Sequence, residues 1–412
     1  MASPREPVYV RRSLETALRR AAREFPVVIV TGPRQSGKTT LLRRLYEPQC
    51  RYLSLDPPDV RAAVAADPRT SLDRYGAPLI VDEIQHVPAL LSYIKERVDA
   101  RRHVPGQYLL TGSQNLLLLH QVSETLAGRA AVLRLLPLAQ REIGDHRLAG
   151  LPWELSSGRT GSLPTQEAVW NSILRGGYPE IALDRARDAV LWHRSYVQTY
   201  LERDVRTLRQ VGDLTQFQVF LRALAARSGQ LLNLSDLSRD LGVTVNTAKA
   251  WLSVLEASYQ VIVVRPWFAN TGKRLVKTPK VYFTDTGTLC FLTGLRDARH
   301  AADGPLGGAL FETAVLAELT RTAWHRGEAP RIHFWRTSAG AEVDFLVEDG
   351  TDLIPIEVKL SATPRPRMAD GIEQLRADIG ARVRPGYVVH PGTVELPLGR
   401  HATALPFGRL WR

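Results

Sequence analysis

Three short apolar runs mark the first third of the chain. Val27-Val28-Ile29-Val30 is rich in β-branched residues, Leu79-Ile80-Val81 ends in two carboxylates, and Tyr108-Leu109-Leu110 stops in Thr111-Gly112-Ser113-Gln114. Unbroken apolarity over so few residues predicts strands buried on both faces, the pattern of a parallel sheet. Thr39 to Leu45 reads differently. Its apolar positions 41, 42 and 45 recur at helical spacing and predict a helix with one buried face. The first part of the chain is therefore expected to be α/β.

The pattern changes further on. Ser156 to Thr165 is a polar, glycine-containing linker or long loop. Helical patterns around Gly176-Gly177-Tyr178-Pro179-Glu180 and from Tyr196 to Leu208 suggest a helical lid or connector. From Phe217 to Pro266 the order is helix, helix, helix, strand. Thr244 can cap a helix whose apolar face holds Val245, Ala248, Leu252 and Leu255, with Asn246, Thr247 and Lys249 turned away. Val261-Ile262-Val263-Val264 and Lys280-Val281-Tyr282-Phe283 read as the two strands of a wing, with Lys273, Arg274, Lys277 and Lys280 at its tip. This predicts a winged helix able to meet nucleic acid; domain packing with a solvated tip is the alternative. In the tail, Ala341 to Val347 alternates, Glu348-Asp349-Gly350 signals a hairpin turn, and Leu353 to Leu360 returns as a second strand. Expected boundaries are 1–155, 156–212, 213–285 and 286–412.

Chemistry enters at the turn after the first run. Gly32-Pro33-Arg34-Gln35-Ser36-Gly37-Lys38-Thr39, followed by Thr40, fits the phosphate-binding P-loop pattern. Gly32 and Gly37 let backbone N–H groups approach a phosphate chain, and the helix start adds its dipole. Lys38 offers a compact charge to the β- and γ-phosphates of ATP, and Thr39 a hydroxyl to Mg²⁺. Asp82 at the end of the second run can hold Mg²⁺ through water, and Glu83 can orient the attacking water. Ser113 or Gln114 can sense the γ-phosphate. Arg129, in Leu126-Ala127-Gly128-Arg129, is either an arginine offered to nucleotide, within or between subunits, or an exposed helix residue.

Composition narrows the partners. The chain has 412 residues, room for about two to four domains, a net charge of +12 and a pI near 9.9, which favours a polyanion such as DNA. Two distant cysteines, Cys50 and Cys290, exclude a disulfide framework or zinc spacing and fit a reducing cytoplasm. Signal-peptide and membrane-spanning stretches are not expected. Nearly all basic residues are arginine, and the lysines are Lys38, Lys95, Lys249, Lys273, Lys277, Lys280 and Lys359. Lysine at the P-loop serves as a point charge, so Lys359 draws attention as well.

Lys359 stands two residues after Glu357, which puts both on one strand face, with Asp344 on the neighbouring strand. Glu312, on a helical stretch from Leu310 to Leu319, can reach the same corner. Asp344 with Glu357-x-Lys359 is the arrangement of PD-(D/E)XK nucleases, in which Asp344, Glu357 and Glu312 would hold a metal and Lys359 would assist at the scissile phosphate. A strand-face salt bridge with Asp344 capping a turn is the alternative. The whole order of parts resembles the AAA-type P-loop ATPases of bacteria and archaea that carry a C-terminal nuclease-like domain of unknown function (4143). The residues in question are Gly32 to Thr39, Leu79 to Glu83, Leu110 to Ser113, Leu126 to Arg129, Gly176 to Glu180, Tyr200 to Val205, and the Asp344, Glu357, Lys359 set. The resemblance implies ATP binding, a helical lid, a winged helix and a terminal α/β, restriction-endonuclease-like domain. The expected function is ATP hydrolysis by a DNA-associated protein, coupled to that terminal domain. A nucleotide-gated switch acting on a protein partner or homo-oligomer is the rival, and a small-molecule kinase a more distant one.

Overall fold

The computed structural model describes residues 9–113, 124–148, 150–155, 161–201, 214–268 and 276–412. They form two compact units. The first comprises residues up to Leu138 with Ala257–Tyr259 and Arg321–Ala329; the second comprises Ala139–Glu256, Gln260–Thr320 and Pro330–Arg412.

The first unit is a five-stranded sheet of β1 (Val27–Thr31), β2 (Arg51–Ser54), β3 (Leu79–Asp82), β4 (Tyr108–Gly112) and β5 (Ala130–Arg134), ordered β2-β3-β4-β1-β5. Every pairing is parallel. The central strands β1, β3 and β4 are buried throughout, which is why their sequences are continuously apolar rather than alternating. One face packs Val27, Ile29, Val81 and Leu110 with Leu90 and Ile94; the other packs Val28, Val30, Ile80 and Leu109 with Leu14, Leu18, Leu41 and Leu42. The register sets the end of β1 beside the end of β4 (Thr31 opposite Gly112), and β3 ends one strand further out at Asp82. The carboxyl ends of three adjacent strands thus open onto the turn after β1. This is where open parallel sheets present ligand sites.

The second unit begins with helices and ends in a mixed sheet. Helices Leu214–Ala225, Leu234–Asp240 and Val245–Ala257 precede an antiparallel ribbon of β6 (Val261–Val264) and β7 (Lys280–Phe283). Thr244 Oγ1 accepts from the Thr247 N–H at 3.1 Å, capping the third helix. Val245, expected on its apolar face, is exposed, because it sits in the first turn ahead of the buried stripe of Ala248, Leu252 and Leu255. The long helix Gly307–His325 leads to a six-stranded sheet ordered β12-β13-β11-β10-β9-β8, built from β8 (Ile332–Arg336), β9 (Glu342–Asp349), β10 (Asp352–Val358), β11 (Gly386–His390), β12 (Leu396–Pro397) and β13 (Ala402–Pro406). β9 and β10 form the expected hairpin, and Gly350 takes the positive φ of 61° that its turn requires. Among the described residues no helix is long and apolar enough to cross a membrane.

Candidate functional site

The turn between β1 and the helix Lys38–Tyr46 needs glycine at both ends. Gly32 has φ 150° and Gly37 φ 94°. A Cβ on Gly32 would lie 2.1 Å from the Leu135 carbonyl oxygen, so a side chain there would collide with backbone. Lys38 Nζ folds over the turn and donates to the carbonyls of Gly32 (3.1 Å) and Pro33 (2.8 Å). Ser36 Oγ is buried and finds no hydrogen-bond partner among the described residues. Arg34 is half-buried on the loop, Gln35 is exposed at φ 60°, and Thr40 is exposed in the first turn of the helix.

Asp82 is ringed by hydroxyls. Thr39 Oγ1 donates to its Oδ1 at 2.7 Å, Thr111 Oγ1 to the same oxygen at 2.5 Å, and Tyr52 to Oδ2 at 2.9 Å. Burial and the Asp82 charge push the Tyr52 hydroxyl up to about 12, so it stays a donor. Glu83 sits in the left-handed region (φ 57°, ψ 49°), which swings its side chain off the strand line. Its N–H donates to Thr111 Oγ1 at 3.0 Å; its carboxylate accepts from Ser113 Oγ at 3.0 Å and from the Gln85 amide. Burial pushes the Glu83 carboxyl up, but Lys38, Gln85, Arg34 and Ser113 together pull it below the ordinary glutamate value. An ionised carboxylate with a fixed direction is what a water-orienting base requires.

Lys38, Thr39, Asp82, Glu83 and Ser113 are therefore brought together at the sheet's carboxyl edge. Arg129 is held at Asp99 by a two-pronged contact of 2.5 and 3.0 Å, with its third nitrogen on the Ala127 carbonyl. Gln114 lies outside the described residues. Tyr52, Gln85 and Arg12 were not anticipated. Arg12, 4% exposed, donates to the carbonyls of Ser36 (2.9 Å) and Leu136 (2.7 Å) and so braces the loop from behind. From the later segments of this unit, the Tyr259 hydroxyl meets Thr31 Oγ1 at 2.7 Å, and His325 Nε2 accepts from the Leu136 N–H at 3.1 Å.

A second constellation lies in the other unit. Glu357 on β10, 4% exposed, pairs with Lys359 at 2.8 Å. Asp344 on β9 accepts from the Val358 N–H at 2.8 Å and lies 3.9 Å from Lys359. Glu312, on the long helix, accepts from the Tyr282 hydroxyl at 2.5 Å and from Lys280 at 3.2 Å. Lys280 was expected on an exposed basic wing tip. It is instead buried at the start of β7, because that strand turns it toward Glu312, Glu342 and Asp344. Lys277 is exposed, and Lys273 and Arg274 lie outside the described residues. Burial and the Asp344 charge push the Glu357 carboxyl up against the pull of Lys359.

A parallel sheet with an interior strand feeding a P-loop, an acidic pair on the strand two places away and a polar strand end between them defines a P-loop ATPase of the AAA type. Residues 24–144 match the model of an AAA domain, residues 307–410 that of a domain of unknown function (DUF4143), and residues 166–299 that of a domain of unknown function (DUF8612). Uncharacterized protein Rv2008c of Mycobacterium tuberculosis is 33% identical over 404 residues, which cover 96% of this chain and 83% of the relative; Uncharacterized protein Mb2031c of Mycobacterium bovis matches to the same extent. The chain belongs to the family of these mycobacterial proteins, and the P-loop ATPase fold carries nucleotide binding, usually with Mg²⁺. Among solved structures, the Walker-type ATPase PABY2304 of Pyrococcus abyssi aligns with a TM-score of 0.44 at 15% identity, covering 70% of this chain and 97% of that one. The Thermotoga maritima RuvB Holliday junction branch migration motor aligns with a TM-score of 0.32 at 18% identity, over 61% of this chain and 88% of that one.

Proposed function

We propose that the first unit binds MgATP and hydrolyses it, and that its nucleotide state governs a nuclease-like C-terminal domain on DNA. The observation that carries the ATPase reading is the 2.7 Å contact between Thr39 Oγ1 and Asp82 Oδ1, with Glu83 next in sequence and held aside by Ser113. Thr39 and Asp82 are the oxygens that would hold Mg²⁺, Asp82 through water. The N–H groups from Gly32 to Thr40 would cradle the phosphates, and Lys38 would leave the loop carbonyls for the β- and γ-phosphates. Bound MgATP supplies an activated phosphoryl group. Glu83 orients water toward it, and Ser113, which touches Glu83, relays the state of the γ-position. Arg129 serves as the arginine offered to nucleotide, from its own subunit or a neighbour in a homo-oligomer, on leaving Asp99.

Beyond the ATPase core we assign residues 213–285 as a winged helix and 286–412 as a restriction-endonuclease-like domain, with 156–212 as linker and lid; Ala257–Tyr259 and Arg321–Ala329 of these ranges pack with the first unit. Three helices followed by an antiparallel ribbon support the first assignment. The juxtaposition of Glu312, Asp344, Glu357 and Lys359 supports the second. The net charge of +12 supports DNA as partner. The rival, a switch acting on a protein partner, gains from the lysines already paired with those carboxylates.

The test measures nucleotide binding by calorimetry and phosphate release, each with and without DNA. Lys38→Ala should lose nucleotide uptake, and DNA should stimulate the wild-type turnover. Normal hydrolysis in Lys38→Ala would overturn the site; turnover indifferent to DNA would favour the protein-partner switch.

A further inference from the structure

A buried acidic cluster needs positive charge, because isolated carboxylates out of water are prohibitively costly. The cation can be a metal or the protein's own. In this chain it is a side chain. Lys280 Nζ lies 2.7 Å from Glu342 Oε1, 3.2 Å from Glu312 Oε1 and 3.9 Å from Asp344 Oδ1. On the other side of Asp344, Lys359 Nζ is 3.9 Å from Oδ2. The two oxygens of Asp344 thus face different ammonium groups. Arg336 takes the second oxygen of Glu342 at 3.2 Å.

A hard divalent ion needs several oxygens converging on one point at about 2.0–2.6 Å. Among the described residues no group of three or more histidine, cysteine or acidic side chains is arranged to hold one. Backbone also closes on the cluster from one side. A Cβ on Gly371 would lie 2.4 Å from Glu357 Oε1 and 2.2 Å from the Glu342 carbonyl oxygen, so backbone is pressed against the cluster. A divalent ion placed between Glu312 and Asp344 would also meet the Lys280 ammonium at contact distance, with strong repulsion at that depth. The metal expected on Glu312, Asp344 and Glu357 does not fit this arrangement.

We propose that Lys280 is a tethered cation standing where a divalent ion would otherwise bridge Glu312 and Asp344, and that the C-terminal domain carries out no metal-dependent cleavage. The tethered cation stands on the cluster alone; its consequence for cleavage rests on the nuclease-like reading above. The cavity of about 430 Å³ beside the cluster is lined by Glu342, Asp344, Glu357 and Asp370 with Lys359 and Arg367, so the tethered ammonium groups face carboxylates on this side too.

The test is Mn²⁺ titration of the full chain without nucleotide, read by the paramagnetic resonance of the free ion. Wild type and Asp344→Asn should bind alike. Lys280→Met should gain one Mn²⁺ per chain, at least about tenfold tighter than any wild-type binding, and Lys280→Met/Asp344→Asn should lose it again. Wild-type Mn²⁺ binding that Asp344→Asn abolishes and Asp82→Asn leaves intact would overturn the proposal. So would a folded Lys280→Met that gains nothing. Should Lys280→Met not fold, the wild-type and Asp344→Asn pair decides. Plasmid cleavage with Mg²⁺, lost in Asp344→Asn, would also overturn it. Failure of the chain to bind DNA at all would remove the DNA reading and leave the Mn²⁺ result standing.

Discussion

Two acidic clusters in this protein are built from opposite partners. Asp82 is surrounded by the hydroxyls of Thr39, Thr111 and Tyr52, and Glu83 by Ser113 and the Gln85 amide. Glu312, Glu342, Asp344 and Glu357 face the ammonium groups of Lys280 and Lys359. Hydroxyls orient a carboxylate without cancelling its charge, so it remains able to attract a cation from solution. Ammonium groups supply the cation in advance. On the functions proposed above, the same residue types prepare one site for exchange with solvent ions and the other for permanence.

The largest effect should come from the first cluster. Glu83→Gln keeps the side chain's size and its contact with Ser113 but removes the carboxylate proposed to orient water. Nucleotide binding should persist while turnover falls by about 10²–10⁴-fold, measured as phosphate release under saturating MgATP. Unchanged turnover would mean that Glu83 is a strand-end residue like any other. In the second cluster the corresponding loss should appear as stability. Removing a buried partner leaves charge uncompensated, so Lys280→Met should cost about 3–5 kcal/mol in denaturant unfolding. Adding Glu312→Gln should restore part of it, because one of the stranded charges goes too. Additive costs would show that the pair is not coupled.

The smallest effect is on pH, and its sign should differ between the clusters. Glu83 lies below its ordinary value when folded, so its share of stability is present above about 4.5 and is lost as pH falls through the folded value. Burial and the Asp344 charge push Glu312 up to about 7, against Lys280 and Tyr282. Its share is complete below about 4.5 and is lost as pH rises through 7. Unfolding midpoints followed from about pH 2 to pH 8 should therefore flatten above about 4.5 in Glu312→Gln and below about 4.5 in Glu83→Gln. Identical profiles for wild type and both variants would remove the contrast.

What was readable in the sequence was what lies close together along it. The P-loop is a contiguous motif, and the runs at 27–30, 79–81 and 108–110 are β1, β3 and β4, the strands buried on both faces. β2 and β5 escaped notice because they are edge strands. Arg51 and Val132 point to solvent, so Arg51–Ser54 and Ala130–Arg134 carry no continuous apolar signal. Tyr52 was missed for the same reason: it matters through pairing of β2 with β3, not through its neighbours in sequence. Lys280 carried a usable signal, since it is one of seven lysines in an arginine-rich chain, and that scarcity had already singled out Lys359. Its distance in sequence from Asp344 hid the rest. Arg12 and His325 meet Leu136 across more than a hundred residues, and no local pattern encodes such a meeting.

That long reach bears on how the nucleotide-binding half can be handled. Thr31 immediately precedes the phosphate turn and takes its hydroxyl partner from Tyr259, and the Leu136 amide takes its acceptor from His325. A polypeptide stopped after Leu138 would contain every motif residue yet lack both of these props. Excising the front portion would remove part of its own scaffold, so a weak or aggregating fragment would speak of missing reinforcement and not of a defective catalytic apparatus.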